Sequence, residues 1–183
     1  MGSFNFNEEI KRTGTSSLKW DFTEARYGEK ELLPMWVADM DFPSPQEVVD
    51  ALVNRAKHPV YGYTSATDSV YESVINWMKT KHHWGIQKEW IAFSAGVVAG
   101  FTTAILALSK PGDKVLVHTP VYTPFFDSIK NNDRELILNP LRYVEGTMKI
   151  DFDLLETQLQ DGVKLFLLCS PHNPGGMVWS KED

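Results

Sequence analysis

The fold of this chain is decided by the stretch Val163-Lys-Leu-Phe-Leu-Leu-Cys-Ser-Pro-His-Asn-Pro-Gly-Gly176. Its apolar run ends abruptly at Ser170, and Asn173 then stands between Pro171 and Pro174. Because proline fixes φ and cannot extend a sheet, this pattern predicts a buried strand that stops at a rigid turn. Ligands of open α/β sheets bind at the carboxyl ends of the strands. We therefore predict that the turn holds the side-chain amide of Asn173 beside a ligand.

The chain before this stretch alternates between strand-like and helix-like segments. The predicted strands are 90–93, 114–118, 135–138 and 164–169, and the predicted helices are 97–108, 122–130 and 152–159. A turn is predicted at Glu145-Gly146, and the first turn of a further helix at 180–183. Strands that alternate with helices imply a mostly parallel sheet covered on both faces. The sequence therefore predicts an α/β fold.

The first third of the chain contains an irregular segment and the starts of two helices. Residues 1–41 mix charges and scattered aromatic residues with little periodicity, which is typical of an arm. Ser44-Pro-Gln-Glu47 predicts a helix start, with its serine as N-cap, its proline in the first helical position and its glutamate completing a capping box. Thr67 or Asp68 is predicted to cap the start of the next helix. Its apolar face is formed by Val70, Tyr71, Val74, Ile75 and Met78.

The composition narrows the function classes. The 183-residue chain is 43% apolar and 23% charged, which is typical of a globular protein with a sizeable core. Its net charge of −6 argues against nucleic acid or an anionic membrane as the main partner. The longest apolar stretch, 97–108, is too short to cross a bilayer. The single cysteine, Cys169, and an N-terminus without a signal-like pattern predict a cytoplasmic protein, and no metal site is expected.

Two further segments follow predicted strands, where a ligand would bind. Ser94-Ala-Gly-Val-Val98 precedes a helix, and a glycine there lets backbone N–H groups approach an anion. Glycine at such a junction equally serves tight packing, so the residues alone leave both roles open. Tyr122 follows the strand at 114–118, where its ring would either cover a planar ligand or close the core. His118 is interpreted as a packed histidine at the end of that strand.

The segment at 170–176 resembles the S/N-P-H/T-N-P-x-G signature of the class I/II aminotransferase-like enzymes of fold type I, which use pyridoxal phosphate (PLP). The resemblance implies that Asn173 donates a hydrogen bond to the 3′-oxygen of PLP and helps to tune its electronics. Thr119-Pro-Val-Tyr122 is similar to the T-P-x-Y motif of the family. Tyr122 is therefore implied to stack on the PLP ring.

Two more segments of the same family have counterparts here. The loop at 94–98 is similar to the family's phosphate loop, so the backbone of Gly96, Val97 and Val98 is implied to bind the PLP phosphate. Tyr61-Gly-Tyr-Thr64 resembles the loop by which one subunit lends a tyrosine hydroxyl to the phosphate of its neighbour. Tyr63 is the better match to that tyrosine. The resemblance therefore implies a homodimer with sites shared across the interface.

Met35-Trp-Val-Ala-Asp-Met-Asp-Phe-Pro43 resembles the W-V-A-D-M-D-F segment of the cystathionine β-lyase and cysteine-desulfhydrase group, the C–S lyases of this family. The resemblance implies that Trp36 forms part of the wall of the substrate pocket. The backbone of Val37 and Ala38 is implied to lie near the carboxylate of the amino-acid substrate. The two aspartates of the segment are interpreted as structural acceptors of hydrogen bonds rather than as acid–base groups.

The resemblance covers the chain from about Lys19 onward. It implies that residues 1–43 form an N-terminal arm and substrate-side segment, and that residues 44–183 form the first part of the large PLP-binding α/β domain. We expect the chain to be the N-terminal half of such an enzyme, with the Schiff-base lysine beyond Asp183, so no catalytic residue is assigned. The predicted function is a C–S lyase that performs β-elimination on sulfur amino acids. The alternatives are an aminotransferase on the same fold and a non-catalytic regulatory or binding protein.

Overall fold

The computed structural model describes residues 5–183, and the chain divides into two compact units, Met1–Thr67 and Asp68–Asp183. The first unit is mostly irregular, and the second contains the sheets. The sequence predicts a boundary at residues 43–44 between a substrate-side arm and a PLP-binding domain. This boundary stays a prediction.

The described part of the first unit contains α1 (Leu18–Asp21), α2 (Thr23–Tyr27) and α3 (Gln46–Lys57). The segment predicted to be irregular therefore includes two short helices. α2 ends at Gly28, whose φ of 78° lies in the left-handed region, and the Gly28 N–H donates to the carbonyl oxygen of Glu24 at 2.8 Å. This closing bond is the usual reason for glycine after a helix.

α3 begins one residue later than predicted, and the predicted capping box is wrong. Pro45 is extended, with ψ at 139°, and no side chain caps the helix at this residue. The Pro45 carbonyl oxygen accepts hydrogen bonds from the N–H groups of Val48 (3.0 Å) and Val49 (3.2 Å). Pro45 is therefore the N-cap residue. Ser44 lies one residue too far upstream for its hydroxyl to take that role.

The second unit contains the alternating elements. Its helices are α4 (Asp68–His82), α5 (Val97–Leu108), α6 (Pro124–Lys130) and α7 (Phe152–Gln160). Its strands are β1 (Lys114–Thr119), β2 (Glu135–Pro140), β3 (Arg142–Val144), β4 (Thr147–Lys149) and β5 (Val163–Leu167). β3 and β4 form an antiparallel hairpin around the predicted Glu145-Gly146 turn, where φ is 50° and 80°. The sequence predicted this turn but not the short strands beside it.

β1 is the central strand of a parallel sheet with the order β2-β1-β5. Val117 pairs with Leu138 on one side and with Leu167 on the other. Because the chain adds β2 on one side of β1 and then β5 on the other, right-handed crossovers put α6 and α7 on opposite faces of the sheet. Every residue from Val115 to His118 is buried as a result. The prediction of an α/β fold with a mostly parallel sheet is confirmed.

The core of the second unit joins β1 to the helices on either side of it in sequence. Each residue of its buried cluster is at most 5% exposed. The cluster consists of Ile105, Val115, Val117, Val121 and Ile129. Burying each of these side chains stabilises the fold by about 1.5–3 kcal/mol. The cluster therefore holds the carboxyl end of β1 in a defined position relative to α5 and α6.

The predicted strand at 90–93 is wrong. The structure has a 3₁₀ turn at Lys88–Trp90, in which the N–H of Ile91 donates to the carbonyl oxygen of Lys88 at 3.1 Å. The ring of Phe93 packs edge-on against Tyr71 of α4, with 5.5 Å between ring centroids. A short apolar run becomes a strand only where its context supplies a pairing neighbour. Here the aromatic side chain packs on a helix instead.

The segment Ser180–Asp183, predicted as the first turn of a helix, is not helical. It does make the reciprocal hydrogen bonds of a capping box. The Ser180 N–H donates to Oδ2 of Asp183 at 3.0 Å, and the Asp183 N–H donates to Oγ of Ser180 at 3.2 Å. The predicted helix start is therefore present only as a turn.

Candidate functional site

The N-terminus of α5 presents backbone N–H groups to an anion. Gly96 has φ 144° and ψ 169°, which L side chains rarely adopt, and its carbonyl oxygen accepts from the Gly100 N–H at 2.9 Å. The N–H groups of Val97 and Val98 precede this bond and point out of the helix end. The hydroxyl of Ser94 donates to the Gly96 carbonyl oxygen at 2.8 Å and leaves those N–H groups uncovered. This geometry favours the anion-binding role over simple packing.

Tyr122 follows β1 and is connected to α5 by a row of aromatic rings. Its ring lies edge-on to Phe125, with 6.4 Å between centroids, and Phe125 lies edge-on to Phe101 of α5 at 4.7 Å. Tyr122 is 45% exposed, so its ring does not close the core. An exposed ring at the carboxyl edge of a sheet is able to cover a planar ligand.

Asn173 follows β5, the strand that pairs with β1, so it lies at the same edge of the sheet as Tyr122. Its side chain is exposed, and its backbone N–H donates to Sγ of Cys169 at 3.3 Å. The order of the strands reverses at β1, and open α/β sheets bind ligands outside the carboxyl ends at such a reversal. The cis peptide bonds that follow β1 and β5 are Thr119–Pro120, Ser170–Pro171 and Asn173–Pro174.

Two buried histidines lie beneath this edge, His118 in β1 and His172 beside Asn173, and each is 2% exposed. Both rings contact Trp179, with centroid distances of 5.7 Å and 5.4 Å respectively. Nδ1 of His118 lies 2.8 Å from Oδ1 of Asn139. The interpretation of His118 as a packed histidine at the strand end is confirmed. Within residues 5–183, Nε2 of each histidine is buried and has no hydrogen-bond partner.

Burial lowers the pKa of both histidines. For His118 the desolvation outweighs the hydrogen bond with Asn139, which acts to raise the pKa, and the nearby His172 lowers it further. For His172 desolvation alone lowers the pKa. The neutral imidazole is therefore the favoured form of both rings.

In the first unit, basic residues of the arm hold the two aspartates of the 35–43 segment. Arg12 pairs with Asp39 through Nη2 and with Oδ1 of Asp41 through Nη1, the latter at 2.6 Å. Nζ of Lys19 donates to Oδ2 of Asp41 at 2.6 Å and to the carbonyl oxygen of Asp39 at 3.0 Å. These four residues are called the carboxylate clamp below. The interpretation of both aspartates as structural acceptors is confirmed.

The clamp shifts the ionisation of its members. The hydrogen bond from Lys19 holds the pKa of Asp41 well below its ordinary value, with further contributions from Trp20 and Arg12. The contact with Asp41, followed by that with Asp39, raises the pKa of Arg12. Asp41 therefore stays ionised and accepts hydrogen bonds rather than carrying a proton.

The residues just before the clamp are the predicted substrate-side residues. The Arg26 guanidinium lies 4.2 Å from the centroid of the half-buried Trp36 ring, and Tyr27 lies edge-on to that ring at 6.0 Å. Nε1 of Trp36 is buried and has no partner among the residues that the structure describes. Val37 is half-buried and Ala38 is exposed. The clamp therefore anchors a segment in which Ala38 is exposed.

The loop at 61–64 is confirmed, and it distinguishes its two tyrosines. The Tyr61 hydroxyl donates to the carbonyl oxygen of Ala56 at 2.5 Å, and the Arg55 guanidinium lies 5.3 Å from the Tyr61 ring centroid. Tyr63 is fully exposed. Tyr61 is therefore engaged within its own unit, whereas the Tyr63 hydroxyl is open to a ligand or a second chain.

The predicted site residues fall into both units. The carboxyl edge of the sheet in the second unit carries Gly96, Val97, Val98, Tyr122 and Asn173. The first unit contains Trp36, Val37, Ala38 and Tyr63.

Sequence reasoning missed Arg12 and Lys19, because charged residues in an irregular arm have no periodicity that identifies their partners. It also gave no role to His172. The available signal was its place inside the quoted signature, directly before Asn173.

The described residues also bear on metal binding and on membrane insertion. Within residues 5–183, no group of three or more His, Cys, Asp and Glu side chains is arranged to hold a metal ion. Over the same range, no helix has both the length and the apolar character needed to cross a membrane.

Comparison with known proteins shows the family of the chain. Residues 30–183 match the family model for aminotransferase class I and II. The chain is 46% identical to cystathionine beta-lyase PatB of Bacillus subtilis, covering 98% of this chain and 46% of that protein. It is 31% identical to protein MalY of Escherichia coli, covering 98% of this chain and 47% of that protein.

A solved structure has the same fold. Cystalysin from Treponema denticola, whose crystal structure contains a pyridoxal 5'-phosphate cofactor, matches with a TM-score of 0.91 and 41% identity over 99% of this chain and 47% of that one. The chain thus spans less than half the length of the relatives named here. Because the family model covers most of the sequence, the chain belongs to the aminotransferase class I and II family.

Proposed function

We propose that the protein to which this chain belongs is a PLP-dependent C–S lyase, which eliminates a thiolate from the β-carbon of a sulfur amino acid such as cystathionine. One observation carries the PLP-binding part of the proposal, and the segment at 35–43 carries the choice of a lyase. The N-terminus of α5, the exposed ring of Tyr122 and the exposed amide of Asn173 meet the carboxyl edge of one sheet where its strand order reverses. These groups match the phosphate, the planar ring and the 3′-oxygen of one ligand.

Open space at Gly96 supports the proposed phosphate site. Apart from its chain neighbours, no atom lies within 4 Å of the position that a Cβ on Gly96 would take. The N–H groups of Val97 and Val98 would hold the phosphate. The ring of Tyr122 would cover one face of the heterocycle and exclude water there. The amide of Asn173 would donate to the 3′-oxygen.

PLP, when bound, supplies an electron sink for negative charge at Cα of the amino acid. The chain's own part is to bind and to orient. In the first unit, the backbone of Val37 and Ala38 is proposed to hold the substrate carboxylate, beside the ring of Trp36. The carboxylate clamp keeps that segment in place. The 46% identity to cystathionine beta-lyase PatB supports the lyase reading of this segment.

A second candidate is an aminotransferase, and the family-model match favours it as the general class. Both reactions begin with loss of the Cα proton. The lyase then expels the β-thiolate, which takes up a proton to become a thiol such as homocysteine, and the remaining three-carbon unit is hydrolysed by water to pyruvate and ammonia. The aminotransferase instead passes the amino group to a 2-oxo acid. The residues of the second unit would bind PLP, which both reactions use, so they do not distinguish the two candidates. The segment at 35–43 is the feature that favours the lyase.

We further propose that the protein is a homodimer and acts in the cytoplasm. The fully exposed Tyr63, beside a Tyr61 that is engaged in its own unit, supports a loop that lends a hydroxyl to the PLP phosphate of the partner subunit. The single cysteine supports a reducing compartment.

The reaction class is tested on the full-length protein loaded with PLP. Pyruvate release from cystathionine and from cysteine is measured beside amino transfer to 2-oxoglutarate. We expect pyruvate release to be the faster reaction. A protein that only transfers the amino group would show the second candidate to be right, and a protein with neither activity would contradict both.

A further inference from the structure

We propose that His172 is a positioning residue for Asn173: its ring nitrogen Nδ1 accepts the N–H of Gly175 and so fixes the turn on which the Asn173 amide stands. The Gly175 nitrogen lies 3.2 Å from Nδ1. The role given to this bond rests on the proposed function, in which Asn173 donates to the 3′-oxygen of PLP. The bond itself is a feature of the turn and does not depend on that function.

The N–H groups in the middle of the turn are held by side chains. The Asn173 N–H donates to Sγ of Cys169 at 3.3 Å, and Pro174 has no N–H to donate. The Gly175 N–H donates to Nδ1 of His172. Each N–H group that residues 173–175 possess is therefore taken by a side-chain acceptor.

The backbone of His172 closes the ends of the same turn. Its N–H donates to the carbonyl oxygen of Met177 at 2.6 Å, and its carbonyl oxygen accepts from the Gly176 N–H at 2.8 Å. Within residues 5–183, these backbone bonds pass over the N–H groups of residues 173–175. The side-chain acceptors are therefore what holds the middle of the turn, where Asn173 lies.

The ring of His172 is itself held in place. It is 2% exposed and lies edge-on to Trp179, with 5.4 Å between centroids, and Nε1 of Trp179 donates to the carbonyl oxygen of Cys169 at 2.9 Å. Because Nδ1 accepts a hydrogen bond, it carries no proton. Burial lowers the pKa of His172, which favours the neutral ring that an acceptor requires. Packing just after β5 thus supplies an acceptor at a fixed place.

The closeness of this ring also explains the glycine at position 175. A Cβ there would lie 2.6 Å from Nδ1 of His172 and 3.2 Å from Sδ of Met148. The φ of Gly175 lies outside the left-handed region, so the neighbouring side chains rather than the backbone exclude an alanine. Because the buried ring packs on Trp179, an added methyl group would displace the turn. The Asn173 amide, two residues away, would shift with it.

Two substitutions of His172 in the full-length protein separate the acceptor from the packing of the ring. His172→Phe keeps a ring beside Trp179 and removes Nδ1, whereas His172→Asn loses the ring and keeps an acceptor near the place of Nδ1. Hydrogen exchange of the Gly175 amide is measured in the PLP-free protein, relative to the amides of residues 115–117 in β1, which corrects for changes in global stability. The exposed His82→Phe of α4 is the control. We expect relative exchange roughly tenfold faster in His172→Phe, as for a lost hydrogen bond, and near the wild-type rate in His172→Asn and the control.

The position of the Asn173 amide is read from the pH at which the visible absorbance of bound PLP changes, since a donor to the 3′-oxygen tunes the electronics of the cofactor. Asn173→Ala gives the shift that loss of the amide causes. We expect His172→Phe and Gly175→Ala to move this pH in the same direction as Asn173→Ala. His172→Asn should stay near the wild type, as should Gly85→Ala, whose added Cβ meets open space.

Relative exchange in His172→Asn that equals or exceeds that in His172→Phe would overturn the acceptor role, because loss of packing alone affects the asparagine variant more. A wild-type absorbance change in His172→Phe, beside a shifted one in Asn173→Ala, would overturn the positioning of Asn173. An unshifted Asn173→Ala would contradict the role of Asn173 in the proposed function and with it the positioning role. The exchange measurement decides the bond between His172 and Gly175 independently of that result.

Discussion

Nζ of Lys19 donates to Oδ2 of Asp41 across 2.6 Å, and Arg12 and Trp20 donate to the other oxygen of the same carboxylate. The donors come from the arm, and the acceptor comes from the segment that carries the predicted substrate-side residues. Of these residues, Lys19 and Trp20 lie in the four-residue helix α1, whereas Arg12 and Asp41 lie outside helices and strands. The order of this segment therefore depends on charge pairing between distant residues rather than on local secondary structure.

The first prediction concerns the acid sensitivity of the clamp. Because the pKa of Asp41 is held below its ordinary value, the stabilisation from its ionised form is present above the unfolded pKa of about 3.9 and is lost as pH falls through the lower folded pKa. Asp41→Asn should unfold at a lower temperature near neutrality and lose less stability on acidification than the wild type. Thermal unfolding followed across pH measures both effects.

Glu24→Gln is the matched control for this prediction. It breaks an exposed pair with Lys30, whose atoms lie 3.4 Å apart, and exposed pairs contribute little. It should follow the wild type at every pH. A loss of stability in acid that is identical in Asp41→Asn and wild type would show that the clamp does not stabilise the protein.

The second prediction concerns Tyr122. In the full-length protein Tyr122→Ala should weaken PLP retention, since aromatic stacking contributes about 0.5–1.5 kcal/mol beyond area burial, whereas Tyr122→Phe should keep most of the affinity. Tyr143→Ala, which removes an exposed tyrosine of β3, is the control. PLP dissociation is followed by absorbance after dilution. Unchanged retention in Tyr122→Ala would rule out stacking on this ring.

The third prediction concerns Gly96. With φ at 144°, an alanine there is strained by about 1–3 kcal/mol even though open space surrounds the position. Gly96→Ala should therefore weaken PLP binding by roughly tenfold or more. Gly85 has similar open space and no positive φ, so Gly85→Ala should bind PLP as the wild type does. Equal PLP affinities of the two variants, measured by equilibrium titration, would contradict the role of the α5 N-terminus.

The fourth prediction separates the two tyrosines of the 61–64 loop. Tyr63→Phe should weaken PLP binding because it removes the hydroxyl that is proposed to reach the phosphate. Tyr61→Phe should leave PLP binding unchanged, since its hydroxyl is already used by Ala56. Mixed dimers of Tyr63→Phe and Gly96→Ala subunits should regain one intact site. Sedimentation as an active PLP-bound monomer would contradict the shared site.

The fifth prediction concerns the lysines of the 183-residue chain. Lys114 and Lys164 stand at the amino ends of β1 and β5, opposite the edge that carries Asn173, and Nζ of Lys114 pairs with Asp161 at 2.7 Å. That pairing raises the Lys114 pKa, whereas a Schiff-base lysine must be neutral to react. The isolated chain should form no stoichiometric adduct when it is incubated with PLP and reduced with borohydride. Peptide mass spectrometry that finds one fully modified lysine within the chain would contradict this.

The strands and helices around the proposed PLP-binding edge could be predicted from local patterns. The apolar helix at 97–108 and the buried strand at 114–118 were confirmed. The apolar run before Ser170 does form a strand, β5, but the prediction that it is buried is wrong, because β5 lies at the edge of the sheet and alternates half-buried with exposed residues. The predictions failed where local patterns were short. The apolar residues at 90–93 had no neighbouring strand, and the predicted capping box was displaced by an extended proline.

The sequence by itself determined the fold class and the edge of the sheet where the proposed site lies, because the alternation of strands with helices and the rigid turn around Asn173 are local properties. Only the tertiary structure decided the partners. Arg12 lies 29 residues from Asp41, and His118 lies 21 residues from Asn139. No periodicity connects such residues, since side chains that meet through packing are brought together by the path of the whole chain.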